Sequence, residues 1–304
     1  MSTQRRRGED PHTFGGSWTT AKLKALANYL SAYTTALKNQ PFQRWYIDAF
    51  AGTGSRQGSR SEIPQGESGE LPLLVPTPDQ APALLDGSVR IALKTTPPFD
   101  RYVFIDSRAD HCRELEKLKL EFPHLAEAIQ VRHGDANQVL QNLPRWNSDA
   151  NRAVLFLDPY GMQVEWKTIE AIARTKAIDL WVLIPLAVGP SRLLVRSGHI
   201  PAEWKERLSL FLGTDDWFDA LYDVKIEKDL FGTEEERVTR ATVSVLGKYL
   251  NDRLKSVFAD VLEPPGVLRN STNSPLYLLS FAVANPRGAK LALKLARSAM
   301  KDLY

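Results

Sequence analysis

Apolar side chains recur along this chain with two spacings, one typical of helices and one typical of strands. Residues 17–38 carry them at helical spacing, which predicts a leading amphipathic helix. Shorter apolar runs farther along predict five strands, with helical patterns or loops between them. The predicted strands lie at residues 45–50, 101–106, 129–135, 153–161 and 179–186. Because strands and helices alternate, the sequence favours an α/β fold with a mostly parallel sheet flanked by helices.

The pattern changes after Pro190, where the alternation of strands and helices stops. Three consecutive glutamates at 234–236 are expected to open a helix, because negative charge suits a helix N-terminus. The remaining predicted elements are helices at 201–212 and 234–258, an antiparallel strand pair at 261–269 and 275–284, and a last helix at 288–304.

Composition and cysteine content narrow the class of protein. The 304 residues are 43% hydrophobic and 25% charged, which is typical of a globular protein, and no apolar run reaches the roughly 18 residues of a membrane helix. Cys112 is the only cysteine, so neither an internal disulfide nor a cysteine-based zinc site is expected, and a cytoplasmic location is predicted. The five histidines lack metal-binding spacing, so no metal site is predicted.

The stretch WYIDAFAGTGS, at residues 45–55, sets a strand directly against a loop with two glycines. Gly52 and Gly54 indicate that something approaches the backbone closely, because glycine has no side chain. No lysine follows at the spacing of a phosphate-binding P-loop. Gln57 stands where a dinucleotide fold has its third glycine, which disfavours NAD. S-adenosylmethionine remains, as a ligand whose compact polar end could cross the loop while its ribose meets a carboxylate at the next strand.

Four predicted strands carry an aspartate at or near their carboxyl ends. Asp48 lies in strand one, and the acids that end strands two, three and four are Asp106, Asp135 and Asp158. Each one alone could be a helix cap or a turn residue. The carboxyl ends of parallel strands meet at one sheet edge, where ligands of such folds bind, so the sequence predicts a functional site there.

These motifs in order resemble those of class I S-adenosylmethionine-dependent methyltransferases. The resemblance rests on DAFAGTG at 48–54, the acid that ends strand two, Gly134 with Asp135, and DPYG at 158–161. It implies a Rossmann-like class I methyltransferase fold with an antiparallel C-terminal hairpin and a helical insertion, and S-adenosylmethionine as cofactor.

The whole chain also resembles a narrower group, the three-Cys-motif partner proteins. Further cues for this group are Trp18 and Lys22 on the leading helix, a glycine-rich insertion, and NPRG at 285–288 after a late strand. This resemblance implies association with a cysteine-motif partner protein. One domain over residues 1–304 is expected, with a leading helix at 17–40, a cofactor-binding core at 41–190, a helical insertion at 191–258, and closing strands with a C-terminal helix at 259–304.

The resemblance also implies a role for each residue of the cofactor site. The loop backbone would approach the methionine part of the cofactor, and Asp48 would hold its amino group directly or through water. Asp106 would accept hydrogen bonds from both ribose hydroxyls, since a carboxylate has two acceptor oxygens. Asp135 would lie near the adenine amino group, with a backbone donor beside it. The implied cofactor-binding residues are Asp48, Ala51, Gly52, Thr53, Gly54, Asp106, Asp135 and Ala136.

The DPYG motif is the candidate catalytic segment, and it departs from the (D/N)PP(Y/F) pattern of methyltransferases that act on exocyclic amino groups. Asp158, Pro159 and Tyr160 are present, but the second proline is missing, which shortens the loop that carries Tyr160 by one residue. Gly161 could restore the turn by permitting a positive φ. If the site is active, Asp158 orients an amine and Tyr160 holds its ring. The other interpretation is a strand-ending turn in which Asp158 caps the next segment of the chain.

Two functions therefore stay open. The first is a methyltransferase that modifies an amino group of nucleic acid, DNA or RNA, or of a partner protein. The second is a cofactor-binding partner subunit that does not catalyse. The net charge of +3 permits nucleic acid without arguing for it. A basic face on the last helix is either solvated or a docking surface for RNA, DNA or an acidic partner; its residues are Lys290, Lys294, Arg297 and Lys301. The segment at 55–86 is either a lid over the ligand or an insertion.

Overall fold

The computed structural model describes residues 17–53, 86–142, 146, 149–186, 189–228 and 234–304. Gly54 and the predicted loop at 55–86 lie outside the described residues, apart from Asp86. Within those ranges, no helix combines the length and the apolar character that crossing a membrane requires.

As far as the fifth strand, the helices and strands follow the order that the apolar pattern predicts. In chain order the elements are α1 (Ser17–Ala36), β1 (Gln43–Asp48), α2 (Ser88–Leu93), β2 (Arg101–Asp106), α3 (Ala109–Glu121), β3 (Ile129–His133), α4 (Ala136–Gln141), β4 (Asn151–Leu157), α5 (Trp166–Arg174), β5 (Ile178–Pro185), α6 (Pro190–Leu193), α7 (Ala202–Leu212), α8 (Trp217–Leu221), β6 (Tyr222–Lys228), β7 (Glu234–Arg240), α9 (Val243–Lys255), β8 (Asp260–Val261), β9 (Gly266–Arg269), β10 (Pro275–Val283) and α10 (Ala289–Ala299), with short 3₁₀ turns at Pro123–Ala128 and Lys301–Leu303.

The main sheet has the strand order β3-β2-β1-β4-β5-β10-β8, with β9 also paired to β10. Strands β1 to β5 run parallel, and β10 runs antiparallel to β5, β8 and β9. The chain reverses its direction along the sheet between β1 and β4, which is the place where open α/β sheets bind ligands. The predicted fold class is confirmed: a Rossmann-like α/β fold with a mostly parallel sheet and an antiparallel C-terminal edge.

Successive residues of the central strands point to opposite faces, so each face has its own apolar core. On β4, Leu155 and Leu157 belong to the core covered by α4, α5 and α9, whereas Val154 and Phe156 belong to the core covered by α1, α2, α3 and α10. Burial on both sides explains why these strands read as continuous apolar runs instead of alternating ones.

The predicted helix at 234–258 is wrong in its first part, and the insertion at 191–258 is not purely helical. Residues 234–240 form β7, which pairs antiparallel with β6 from Tyr222–Arg240 to Lys228–Glu234. The helix begins at Val243, capped by the Thr242 side chain. Acidic residues at a helix N-terminus contribute only about 0.3–1 kcal/mol, less than a seven-residue ladder of backbone hydrogen bonds. The last helix also ends earlier than predicted, at Ala299.

Candidate active site

The loop after β1 is tied by its backbone to β2. The N–H of Ala51 donates to the carbonyl of Ile105 at 3.0 Å, and the N–H of Gly52 donates to Oδ2 of Asp106 at 2.9 Å. Gly52 adopts φ +59, a left-handed conformation that favours glycine. A Cβ added at Gly52 would meet no atom of the described residues within 4 Å, so a side chain there would point into space that these residues leave open beside the loop. Thr53 follows in the same turn.

Asp106, the last residue of β2, keeps acceptor capacity free for a ligand. Its Oδ2 accepts from Gly52, and its Oδ1 accepts from the N–H of Arg108 at 2.8 Å. A carboxylate offers roughly four acceptor positions, so the described residues leave about two of them unused, which is what two ribose hydroxyls need. His111 Nδ1 lies 3.2 Å from Asp106 Oδ2 but is not aligned for a hydrogen bond.

Asp48 lies at the end of β1, fully buried beneath the same loop. Its Oδ2 accepts from the hydroxyls of Ser88 at 2.6 Å and Tyr46 at 3.2 Å, and its Oδ1 accepts from the N–H of Phe50 at 3.2 Å. Burial raises the pKa of Asp48 to about 6, although the bond from Ser88 opposes this, and the charge of Asp158 raises it further. In this structure Asp48 therefore fixes the loop backbone and the start of α2.

Asp135 and Ala136 lie two and three residues beyond β3, since that strand ends at His133. The Asp135 side chain accepts from the N–H of Gln138 at 3.0 Å and so caps the N-terminus of α4. This is the capping role that an isolated strand-end aspartate often has. Ala136 is the first residue of α4, where the helix itself provides no acceptor for the N–H. Asp135 is exposed, so the capping bond leaves its other oxygen accessible.

Asp158 stands one residue past β4 and forms an ion pair with Lys22 of α1. The Lys22 Nζ donates to Asp158 Oδ2 at 2.5 Å, and the two side chains are 2% and 27% exposed. The ammonium also lies over the Trp18 ring, 5.3 Å from its centroid, and 6.0 Å from that of Phe156. The pair spans 136 residues of sequence and ties the leading helix to the catalytic candidate. Asp158 Oδ1 has no hydrogen-bond partner among the described residues and can accept from a ligand.

In the rest of the DPYG turn, one residue is buried and the next is exposed. Pro159 is buried, whereas the Tyr160 side chain is 81% exposed. The N–H of Tyr160 donates to Oε1 of Gln163 at 3.1 Å. Gly161 has φ +66, as expected for a glycine that restores the turn without the second proline. Because Tyr160 packs against little protein, its ring is available to stack on a ligand at the surface.

An aromatic pair, Trp18 and Tyr277, lies beside Asp158 at the same sheet edge. Because β10 is antiparallel, its first residues are at the carboxyl ends of the parallel strands, and Tyr277 pairs there with Pro185. The Tyr277 ring stacks on Trp18 with centroids 4.9 Å apart. Burial raises the pKa of Tyr277, and the charges of Asp158 and Tyr160 raise it further.

The structure thus brings Asp48, Gly52, Asp106 and Asp158 to one edge, with Asp135 farther along it. The side chains that sequence reasoning missed as site residues are Lys22, Tyr277 and His111. Trp18 and Lys22 had a signal, because both belong to the family resemblance, but no pattern placed them against Asp158. Tyr277 gave no signal beyond its strand, since an aromatic residue in a strand is ordinary core.

No family model and no curated protein matches this chain. Among solved structures, a protein of Legionella pneumophila str. Philadelphia 1 is 15% identical, over 95% of this chain and 93% of that one, with a TM-score of 0.45. A spermidine synthase of Thermotoga maritima is 10% identical, over 89% of this chain and 61% of that one, with a TM-score of 0.39.

An S-adenosylmethionine-dependent methyltransferase of Clostridium acetobutylicum is 13% identical, over 86% of this chain and 92% of that one, with a TM-score of 0.36. All three TM-scores are below 0.5, so these likenesses support no argument about the reaction. What the site can do has to be derived from its own residues.

Proposed function

We propose that this chain is an S-adenosylmethionine-dependent methyltransferase that acts on an amino group of nucleic acid or of a partner protein. The observation that carries the proposal is the meeting of the Gly52 loop, Asp106 and Asp158 at the carboxyl ends of β1, β2 and β4. An open glycine loop hydrogen-bonded to a strand-end carboxylate fits a ligand with a compact polar end and a ribose. Membership of the three-Cys-motif partner proteins, and a cysteine-motif protein as partner, are part of the same proposal.

The proposed cofactor-binding residues are those that the resemblance implies, and only the role of Asp48 differs. Ala51, Gly52 and Thr53 offer their backbone to the methionine part, and Asp106 offers its two spare acceptor positions to the ribose. Asp135 keeps its adenine role beside its cap, with the Ala136 N–H as a donor. Because Asp48 is fully buried, it supports the loop and reaches the amino group through water instead of directly.

When bound, S-adenosylmethionine supplies an electrophilic methyl group on its sulfonium. Asp158 Oδ1 accepts an N–H of the incoming amine and aligns its lone pair, so that positioning contributes most of the acceleration. Lys22 holds Oδ2 and fixes the carboxylate orientation. Tyr160 stacks on a planar substrate from the solvent side. Transfer of the methyl group to the nitrogen would break its bond to the sulfonium sulfur and release S-adenosylhomocysteine, and the nitrogen would then lose its proton to water, so the site needs no strong base.

One observation favours the alternative of a non-catalytic, cofactor-binding partner subunit. The same ion pair that orients Asp158 also neutralises its charge and occupies one oxygen. If a substrate amine cannot use the remaining oxygen, the fold binds cofactor without turnover. This alternative keeps every cofactor-binding residue and removes only the catalytic roles of Asp158 and Tyr160.

The test is transfer of a labelled methyl group from S-adenosylmethionine to RNA, DNA and total protein, with the wild-type chain and Asp158→Ala in parallel. Alanine removes both acceptor oxygens, so we expect labelled product from wild type and at least about 100-fold less from a variant whose fold is intact by circular dichroism. Asp149→Ala, a change of an exposed acid on the opposite sheet edge, is the control and should match wild type. Equal label from wild type and Asp158→Ala would remove Asp158 from catalysis. Cofactor binding without any label transfer would favour the partner subunit.

A further inference from the structure

A cleft of about 240 Å³ opens at the amino edge of the sheet, opposite the candidate active site. Arg152 lies near the start of β4 and Asp158 just past its end, so their Cα atoms, six positions apart along the strand, are about 20 Å from each other. The cleft lies between the end of α1, the starts of β4 and β5, and the β10–α10 turn. It is lined by Tyr33, Leu37, Gln40, Phe42, Arg152, Asp179, Val283, Asn285, Arg287, Gly288, Leu291, Ala292 and Leu295.

The cleft collects polar groups whose bonding capacity the protein does not use. Asp179 Oδ1 accepts a long bond from the N–H of Ala284 at 3.3 Å, and its Oδ2 has no hydrogen-bond partner among the described residues. Burial raises the pKa of Asp179 to about 7. The Tyr33 side chain, 3% exposed, makes no hydrogen bond through its hydroxyl within the described ranges.

Arg152 adds a positive charge to the polar groups of the cleft. Its guanidinium donates to the carbonyl of Asn151 at 3.2 Å and lies 5.2 Å from the centroid of the Phe42 ring. No carboxylate of the described residues lies within ion-pair distance of it. Its charge lowers the pKa of Asp179, so the two groups share one electrostatic environment without touching. Buried or half-buried charges normally have partners, so a separated acid and base in one cleft indicate a ligand that meets both.

The walls between these polar groups are apolar. Leu37, Val283 and Leu295 lie among the lining residues, and Leu291 stands at the rim with 45% exposure. The volume is below the roughly 300–1,000 Å³ of a drug-sized pocket, so the occupant is small.

The NPRG motif, which the candidate active site does not use, shapes the rim of the cleft. The Asn285 Nδ2 donates to the carbonyl of Lys176 at 3.1 Å, and its Oδ1 accepts from the N–H of Arg287 at 2.9 Å. These bonds fix the turn between β10 and α10 against the start of β5. The cleft is therefore walled by a fixed turn and not by a loose surface loop.

We propose that this cleft binds a small zwitterion with an apolar body, of the chemical class of a free apolar α-amino acid. The ammonium pairs with Asp179, the carboxylate pairs with Arg152, and the side chain lies against the leucine and valine wall. A simple amine would leave Arg152 without a partner, and an anion such as phosphate would be repelled by Asp179. The site is separate from the proposed methyltransferase function and does not depend on it.

Calorimetric titration of the full chain at about pH 8, where Asp179 is mostly ionised, tests this assignment. The probes are L-valine, L-leucine and L-phenylalanine, and the single-ended analogues of leucine are isoamylamine and 4-methylpentanoate. We expect at least one amino acid to bind saturably, and both leucine analogues to bind at least about 10-fold more weakly than leucine, or not at all.

Variants locate the binding in the cleft. Asp179→Asn and Arg152→Met should each weaken the amino acid at least about 10-fold, and Leu291→Trp should block entry from a rim position where a large side chain fits the fold. Lys290→Met, an exposed change on the same helix, should leave binding unchanged. The proposal is overturned if no amino acid binds at millimolar concentration, if isoamylamine binds as well as leucine, or if binding survives Leu291→Trp and both charge changes.

Discussion

The two halves of the candidate active site are built in different ways. The cofactor half, between β1 and β2, is held by short backbone bonds, as Gly52 and Arg108 both donate to the Asp106 carboxylate. The catalytic half, after β4, depends on Lys22, a side chain that reaches Asp158 from the leading helix. The first half is specified by neighbouring strand ends, and the second by a tertiary contact. Changes in the first half should therefore alter ligand affinity, and changes in the second should alter turnover.

Of the changes that compare the two halves, Gly52→Val should have the largest effect. The side chain would enter the open space beside the loop, so we expect the affinity for S-adenosylhomocysteine to fall about 30-fold, or about 2 kcal/mol. Gly161→Val is the matched control, because Gly161 has a similar φ of +66 and equally open surroundings. Both variants share a strain of about 1–2 kcal/mol, but the control should keep affinity within about three-fold. Equal losses in both would show that strain, and not ligand contact, decides.

Lys22→Met tests the catalytic half with a smaller effect. Methionine keeps much of the buried side chain but removes the ammonium, so Asp158 loses its fixed orientation. We expect methyl transfer to fall about 10-fold while the affinity for S-adenosylhomocysteine stays within about three-fold. Lys24→Met, two residues along α1, removes an exposed pair with Asp302 and should change neither quantity. If Lys22→Met loses affinity for S-adenosylhomocysteine while its fold is intact by circular dichroism, Lys22 also contributes to cofactor binding and the two halves are not independent.

The buried acid of the cofactor half should give stability an inverted pH dependence. The pKa of Asp48 is about 6 in the folded chain and near 3.8 when unfolded, so the folded state binds more protons between these values. Its contribution to stability is present below about pH 4 and is lost as pH rises through 6. Between about pH 5 and 8 the unfolding free energy should fall by about 1 kcal/mol more in wild type than in Asp48→Asn, measured by urea denaturation. If the unfolding free energy falls equally with pH in both proteins, a group other than Asp48 causes the pH dependence.

The smallest expected effect on stability is that of Tyr160→Ala. With its ring 81% exposed, its removal should change the free energy of unfolding by less than about 0.5 kcal/mol. Its buried neighbour Tyr277, changed to alanine, should cost about 3 kcal/mol. If Tyr160→Ala also lowers methyl transfer, its ring acts on the substrate and not on the fold. Unchanged transfer would leave Tyr160 without a role.

Much of the fold could be predicted from the apolar pattern, because doubly buried strands such as residues 101–106 have few other interpretations. The glycine loop and the acids at the strand ends could be placed at one edge of the sheet, because the carboxyl ends of the predicted parallel strands meet there. The β6–β7 hairpin could not be predicted, because the glutamates of β7 also suit the start of a helix. What decides for a strand is the backbone hydrogen bonding between β6 and β7, which local sequence does not show. Nor could the pairing of Lys22 with Asp158 be predicted, because nothing in local spacing connects residues 136 positions apart.

The central claim is that the Gly52 loop and Asp106 form a cofactor site, and calorimetric titration with S-adenosylhomocysteine tests it most directly. The wild-type chain should bind with a micromolar dissociation constant. Asp106→Ala should lose at least about 10-fold in affinity, while Asp110→Ala, an exposed acid on α3, should bind as wild type does. A folded wild type that binds no S-adenosylhomocysteine, or an Asp106→Ala variant that binds it equally well, would contradict the account.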